Sequence, residues 1–117
     1  MDTKESLPVD LDAALKQFDG DRDFMLEMFR EYEASLPERM QEIHAAFQEG
    51  SAENLARRAH NLKGVSLSFC AKPVVEVALQ IEEAGRRGDL TNMPALVTHL
   101  DEEMRRLEEY LAGNLPH

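Results

Sequence analysis

The chain has one cysteine, Cys70, and with no second to pair with it an internal disulfide framework is excluded. Its uninterrupted apolar stretches are only a few residues long, far short of the roughly 20 that a membrane-spanning helix needs. The opening MDTKESLPVD is polar and acidic and lacks the apolar segment of a secretory signal, so a cytoplasmic location is expected. Positive charge is scarce: 13 Lys and Arg stand against 23 Asp and Glu, a formal net charge of -10. Such a surface repels phosphate backbones and anionic lipid, so neither nucleic acid nor membrane is an expected partner. There is no glycine-rich phosphate loop or kinase signature, which excludes an ATP site and self-phosphorylation. His44, His60, His99 and His117 show no H-x-x-x-H spacing, and no metal site is expected. The carboxylates Asp101, Glu102, Glu103, Glu108 and Glu109 read as solvated charge, because no apolar pocket around them is legible.

Strict apolar alternation is also missing, whereas three-and-four spacing recurs through most of the 117 residues. The chain is long enough for one core and too short for two. The expected fold is all-α: an up-down antiparallel four-helix bundle with a short extra N-terminal helix, over residues 10–114 and preceded by a flexible tail or linker at residues 1–9. The short helix spans about Leu11 to Phe18 with Asp10 as N-cap, and Asp19-Gly20-Asp21 turns the chain. The next begins near Asp21 and ends at Gly50, burying Phe24, Met28, Tyr32, Leu36, Met40, Ile43 and Phe47. Pro37 inside it predicts a kink or break near Ser35 and Leu36. Ser51 caps a third helix to about Phe69, buried through Leu55, Ala59, Leu62, Ser66 and Phe69. A fourth runs from Pro73 to Gly88 on Val74, Val77, Ala78 and Ile81, with Gly85 a mild weakness. Thr91 or Asn92 caps the fifth, which faces inward through Leu96, Leu100, Met104, Leu107 and Leu111 until Gly113.

The few basic residues cluster. Arg57, Arg58 and Lys63 bracket His60, and Arg86 and Arg87 form a second pair. At about 100° per residue, Leu62, Val65 and Phe69 lie roughly 140° to 200° from His60, so its ring points away from the core. Lys63 and Gly64 fall within about 60° of it one turn later, and Ala56 and Arg57 flank it one turn earlier. A neutral imidazole is a competent nucleophile that can take a phosphoryl group on a ring nitrogen. Lys63 offers the product a mobile counter-charge, with Arg57 or Arg86 contributing at longer range. Glycine within a helix costs about 1 kcal/mol relative to alanine, and an exposed Gly64 beside the histidine lets another surface approach. These features describe a phosphocarrier surface; by itself, a lone histidine on an exposed helix face is ordinary surface.

The string His60-Asn61-Leu62-Lys63-Gly64 resembles the H-x-L-K-G signature of histidine-containing phosphotransfer (HPt) domains, and the resemblance extends from about Val9 to Gly113. It implies a monomeric four-helix bundle serving phosphorelays between receiver domains of hybrid sensor kinases and response regulators. Carried over by position, His60 is the phosphoacceptor, Lys63 the phosphate-balancing cation and Gly64 the residue that admits the receiver. Glu82 stands where the family often has a polar residue near the histidine, and Arg86 where it sometimes has a basic one. Val65, Ser68 and Cys70 depart from the family's small residue, asparagine and glycine; Cys70 reads as a buried small residue. No resident cofactor is implied, the receiver supplying Mg²⁺. The docking face is expected on the third helix and part of the second, with Ala56, Arg57 and Leu67 beside the histidine and Glu82 and Arg86 on the neighbouring helix.

Three other readings compete. The first is a non-catalytic helical interaction module in which His60 is inert surface. The second is the dimerising phosphoacceptor segment of a sensor kinase, in which an acidic residue typically follows the histidine, whereas Asn61 follows here. The third is an enzyme or metal site, for which the histidine spacing is unsuitable.

Overall fold

The computed structural model describes residues 7–116. Among these, five helices follow one another: α1 (Leu11–Gln17), α2 (Arg22–Glu49), α3 (Ala52–Ser68), α4 (Lys72–Arg86) and α5 (Met93–Asn114). Side-chain caps set three of the starts. Asp10, Asp21 and Ser51 each hold extended φ/ψ and accept a hydrogen bond from the backbone N–H three residues on, which satisfies a donor that the helix itself leaves unpaired. Gly50 closes α2 in the left-handed conformation, with φ 67°. Asn92 precedes α5 without a side-chain cap bond; Asp89 instead accepts from the Thr91 N–H at 3.0 Å.

The helices pack as a ring, α2 on α3, α3 on α4, α4 on α5 and α5 back on α2, while α1 braces α2. The α3–α4 pair has the most extensive contact. Leu36, Ile43, Leu55, Leu62, Ile81, Leu100 and Leu107 are among the large side chains withdrawn from water at the centre. Burial of this kind stabilises by about 1.5–3 kcal/mol for each such side chain. Near α1 the core is aromatic: Tyr32 stacks on Phe69 with ring centroids 4.4 Å apart, and Phe29 meets Phe69 edge-on at 4.8 Å. The Tyr32 hydroxyl is paired with Ser66 Oγ at 2.7 Å, so two polar atoms enter the interior with their hydrogen bond made. Burial pushes the phenol up to about 12 despite that bond.

The α3 and α4 seams contain the expected residues, with Ala56, Glu82, Ala84 and Gly85 buried beside them, whereas the α2 seam is rotated. Phe24 is exposed, Met28, Met40 and Phe47 are half-buried, and Met25, Phe29 and Ala46 join Tyr32, Leu36 and Ile43 in the core. The expected series steps repeatedly by four residues, and each such step drifts about 40° around the helix. The observed Met25, Phe29, Tyr32, Leu36 alternates four and three and stays on one face. Leu96 of α5 is likewise only half-buried, with Val97 taking the inward position.

The break expected near Ser35 does not occur: α2 is continuous over its 28 residues. Pro37 lies on the exposed side, where an imperfect helical turn is tolerated, and Ser35 Oγ donates to the Tyr32 carbonyl at 2.7 Å. The tail expected at residues 1–9 lies, for residues 1–6, outside the described residues, but Pro8 and Val9 are buried. Val9 precedes the Asp10 cap and Ala14 is the fourth helical residue, the two positions of a hydrophobic staple; both are fully withdrawn from water. The Asp10 N–H also donates to the Cys70 carbonyl at 3.2 Å, tying this end to the turn after α3. At the other end Leu115 is buried too, so packing extends past both expected limits of the domain. Cys70 is half-buried rather than buried and has φ 55°, the left-handed region that glycine enters without strain. Burial and the Asp10 carboxylate push its thiol pKa up, which suits an inert side chain.

Candidate functional site

α3 presents a stripe of exposed residues along one side: Arg57, His60, Asn61, Gly64, Leu67 and Ser68. The stripe follows from helical spacing, with Leu55, Ala59, Leu62 and Ser66 occupying the opposite, core-facing side. The His60 side chain is 55% exposed. One edge of its ring is nevertheless held: Nδ1 lies 2.8 Å from Glu82 Oε2 on α4.

Glu82 is the centre of the site. Although 3% exposed, it carries a charge, and α4 aims it at α3 on the same side as Ala78 and Ile81. Its Oε1 accepts from Lys63 Nζ at 2.6 Å, and its Oε2 is shared by His60 and, at 2.6 Å, by Arg86 of its own helix. A buried carboxylate is tolerated only when paired and hydrogen-bonded, and this one is both. Burial alone pushes the carboxyl pKa up. Hydrogen bonds from Lys63 and His60, with the charges of Lys63 and Arg86, outweigh it and hold Glu82 below the usual carboxylate range.

An ionised Glu82 has only acceptors to offer, so Nδ1 of His60 carries a proton. In the neutral ring the lone pair then sits on Nε2, on the edge away from Glu82. Lys63, 21% exposed, and Arg86, 64% exposed, stand beside the same carboxylate. The arrangement couples one available nucleophilic nitrogen to two cations of different exposure, which suits capture of a dianionic group.

Other expected residues fall in different places. Gly64 is exposed, and a Cβ built on it meets nothing within 4 Å. Arg57 is exposed but turned along its own helix, donating to Asn54 Oδ1 at 2.8 Å. Arg58 pairs with Glu42 of α2 at 2.6 Å. Leu67 is 53% exposed and borders a groove of about 270 Å³ with Ala13, Cys70, Lys72 and Val75; Leu79 of α4 is also exposed. Glu82, at 3% exposed, lies beneath the docking face rather than on it, and the expected place of Ala56 on that face is corrected as well. Ala56 is buried at the α3–α4 contact, where its Cβ would lie 3.0 Å from a Cβ added to Gly85. The inner side of α3 one turn before His60 belongs to helix packing rather than to the surface.

A family profile described as Hpt domain matches residues 27–110, more than half of the chain. The chain belongs to the Hpt domain family. This Hpt domain is similar in structure to histidine-containing phosphotransfer protein B from Pseudomonas aeruginosa PAO1, with a TM-score of 0.83, 25% identity and coverage of 91% of this chain and 92% of that one. It shares its fold with the HPT domain of a sensor hybrid histidine kinase from Shewanella, with a TM-score of 0.78, 23% identity and the same two coverages, 91% and 92%. No curated protein sequence matches it. Family membership and these likenesses make histidine phosphotransfer in phosphorelays its function and the helical bundle its architecture.

Reasoning from sequence gave Glu82 too small a place. The available signal was a charged residue four positions after Ala78, on the core-facing stripe of a helix, where an unpaired carboxylate would be costly.

Proposed function

We propose that His60 is the phosphoacceptor and that its Nε2 exchanges a phosphoryl group with an aspartate of a receiver domain. The observation that carries this reading is the 2.8 Å contact between Nδ1 of an otherwise exposed His60 and the buried Glu82. In the forward step the Nε2 lone pair forms a bond to phosphorus as the bond from phosphorus to the receiver's aspartyl oxygen breaks, and that carboxylate leaves with the electron pair. The product is a phospho-imidazole whose ring, protonated at Nδ1, is balanced by Glu82. In the reverse step the P–N bond breaks toward Nε2 while a carboxylate of the next receiver attacks. Phosphoryl transfer of this type depends on alignment and charge rather than on acid–base chemistry at the carrier. Lys63, one turn along α3, and the more exposed Arg86 are the cations for the phosphate, and the bare backbone at Gly64 leaves room for the receiver.

The receivers belong to hybrid sensor kinases and response regulators, and Mg²⁺ comes with them. The carrier has no kinase site of its own and acts as a cytoplasmic monomer. The docking face comprises the α3 stripe with Leu67 and, across the α3–α4 seam, Leu79, where apolar surface is ringed by charge. Incubation with a phosphorylated receiver tests the reading. An acid-labile, base-stable label that disappears in His60→Gln is expected; a label persisting in that variant refutes it.

A further inference from the structure

The α3–α4 seam holds two unlike glycines within reach of the site. Gly64 could carry a Cβ without meeting any atom within 4 Å, so its bareness answers to what lies outside the domain. Gly85 is buried, and a Cβ there would fall 2.7 Å from the Ala52 carbonyl oxygen and 3.0 Å from both the N and Cβ of Ala56. These obstacles are mostly backbone of the facing helix, so relief requires the helices to separate. Gly85 follows Glu82 by three residues on α4, and Ala56 precedes His60 by four on α3. The close approach is therefore about one turn from the His60–Glu82 contact on both helices.

We propose that Gly85 is a positioning residue for phosphotransfer: its missing side chain sets the α3–α4 separation at which Glu82 can hold the His60 ring. The inference rests on the reading of His60 as phosphoacceptor. The span it protects is short, 2.8 Å from His60 Nδ1 to Glu82 Oε2 and 2.6 Å from Lys63 Nζ to Oε1. Moving the α4 backbone out by several tenths of an ångström at Gly85 lengthens both, and hydrogen bonds weaken quickly beyond about 3.2 Å. Freed of Glu82, the ring shifts toward the Nε2–H tautomer that a histidine side chain favours in water, which takes the lone pair off the attacking nitrogen in most molecules. The outer α3 stripe, which meets the partner, is unchanged.

The test is Gly85→Ala in the full chain, read by ¹⁵N NMR of the His60 ring and by rapid-quench, single-turnover phosphotransfer from a phosphorylated receiver. The expected result is a folded helical protein whose His60 has shifted to the Nε2–H form. Its maximal transfer rate constant falls by on the order of 10- to 100-fold, as for a misplaced reacting group, while the receiver concentration that gives half that rate is unchanged. A folded Gly85→Ala that keeps the Nδ1–H tautomer and the parent transfer rate constant overturns the inference. If that variant does not fold, Ala56→Ser adds a single atom to the facing wall and is expected to move both readouts the same way by less; both unmoved overturns the inference equally. Gly64→Ala provides the contrast, since adding a Cβ there leaves the tautomer alone. Failure of the underlying reading is distinguishable, because it is reported by labelling that persists in His60→Gln in the otherwise native chain.

Discussion

Two histidines in this domain face carboxylates at almost equal distance. His60 Nδ1 meets Glu82 at 2.8 Å, and His44 Nε2 of α2 meets Asp101 of α5 at 2.7 Å. In the second pair the side chains are 42% and 45% exposed, and the ring uses its outer nitrogen, leaving Nδ1 near its own backbone. In the first the carboxylate side chain is 4% exposed, two cations share it, and the ring uses its inner nitrogen. The difference teaches that a histidine–carboxylate pair is not in itself a functional sign. Burial of the acid, the identity of the engaged nitrogen and a nearby counter-charge are what set His60, the proposed phosphoacceptor, apart from His44.

Exchanging the two histidines one at a time gives the widest separation. His60→Gln is expected to abolish labelling by a phosphorylated receiver and His44→Gln to retain it, a contrast checked on a Phos-tag gel. Glu82→Ala comes next, with a loss of transfer rate on the order of 10²-fold in stopped-flow or quench measurements, because ring orientation and the placement of Lys63 are lost together. Asp101→Ala should leave the rate within about twofold and change stability by under about 1 kcal/mol, as an exposed pair does. A comparable rate loss in Asp101→Ala would break the comparison.

Acid titration sharpens it further. The folded Glu82 carboxyl lies below its unfolded value, so its contribution to stability is complete above the ordinary glutamate pKa of about 4.3 and is lost as pH falls through the lower folded value. Glu82→Gln keeps an acceptor for Nδ1 but cannot ionise. Its stability, followed by circular dichroism, should fall less steeply over that acidic range than the parent's. The smallest effect is long-range. Charge reversal at Arg57 and Arg58 is expected to slow transfer severalfold at low salt by weakening encounter, an effect that shrinks as salt rises, whereas the buried Glu82 cluster responds weakly to salt. Equal rates at low salt would exclude steering by this face.

Much of the site was legible because it is local. His60, Lys63, Gly64 and Leu67 stand at i, i+3, i+4 and i+7, so helical spacing alone puts them on one stripe, and the core positions Leu55, Ala59, Leu62 and Ser66 follow from the same geometry. Ala56 was misjudged for a related reason: it lies about 40° to one side of His60 on the helical wheel, and only the direction of the neighbouring helix decides whether that side faces water. The α2 seam slipped because its many apolar side chains admit two stripes, one through Phe24 and Met28 and another through Met25 and Phe29, and the core accepted the second. Val9 was assigned to a tail because the short run Leu7-Pro8-Val9 before the first helix has no periodicity to read.

The sequence by itself determined the helices, the caps at Asp10, Asp21 and Ser51, and the outward histidine with its cation one turn on, because hydrogen bonding and side-chain direction within a helix reach only three or four residues. Tertiary structure alone decided that Glu82, 22 residues from His60, would bind its inner nitrogen, and that Gly85 would lie against Ala52 and Ala56. Those contacts depend on how two helices are rotated and spaced against each other, which is fixed by packing of the whole core rather than by either segment.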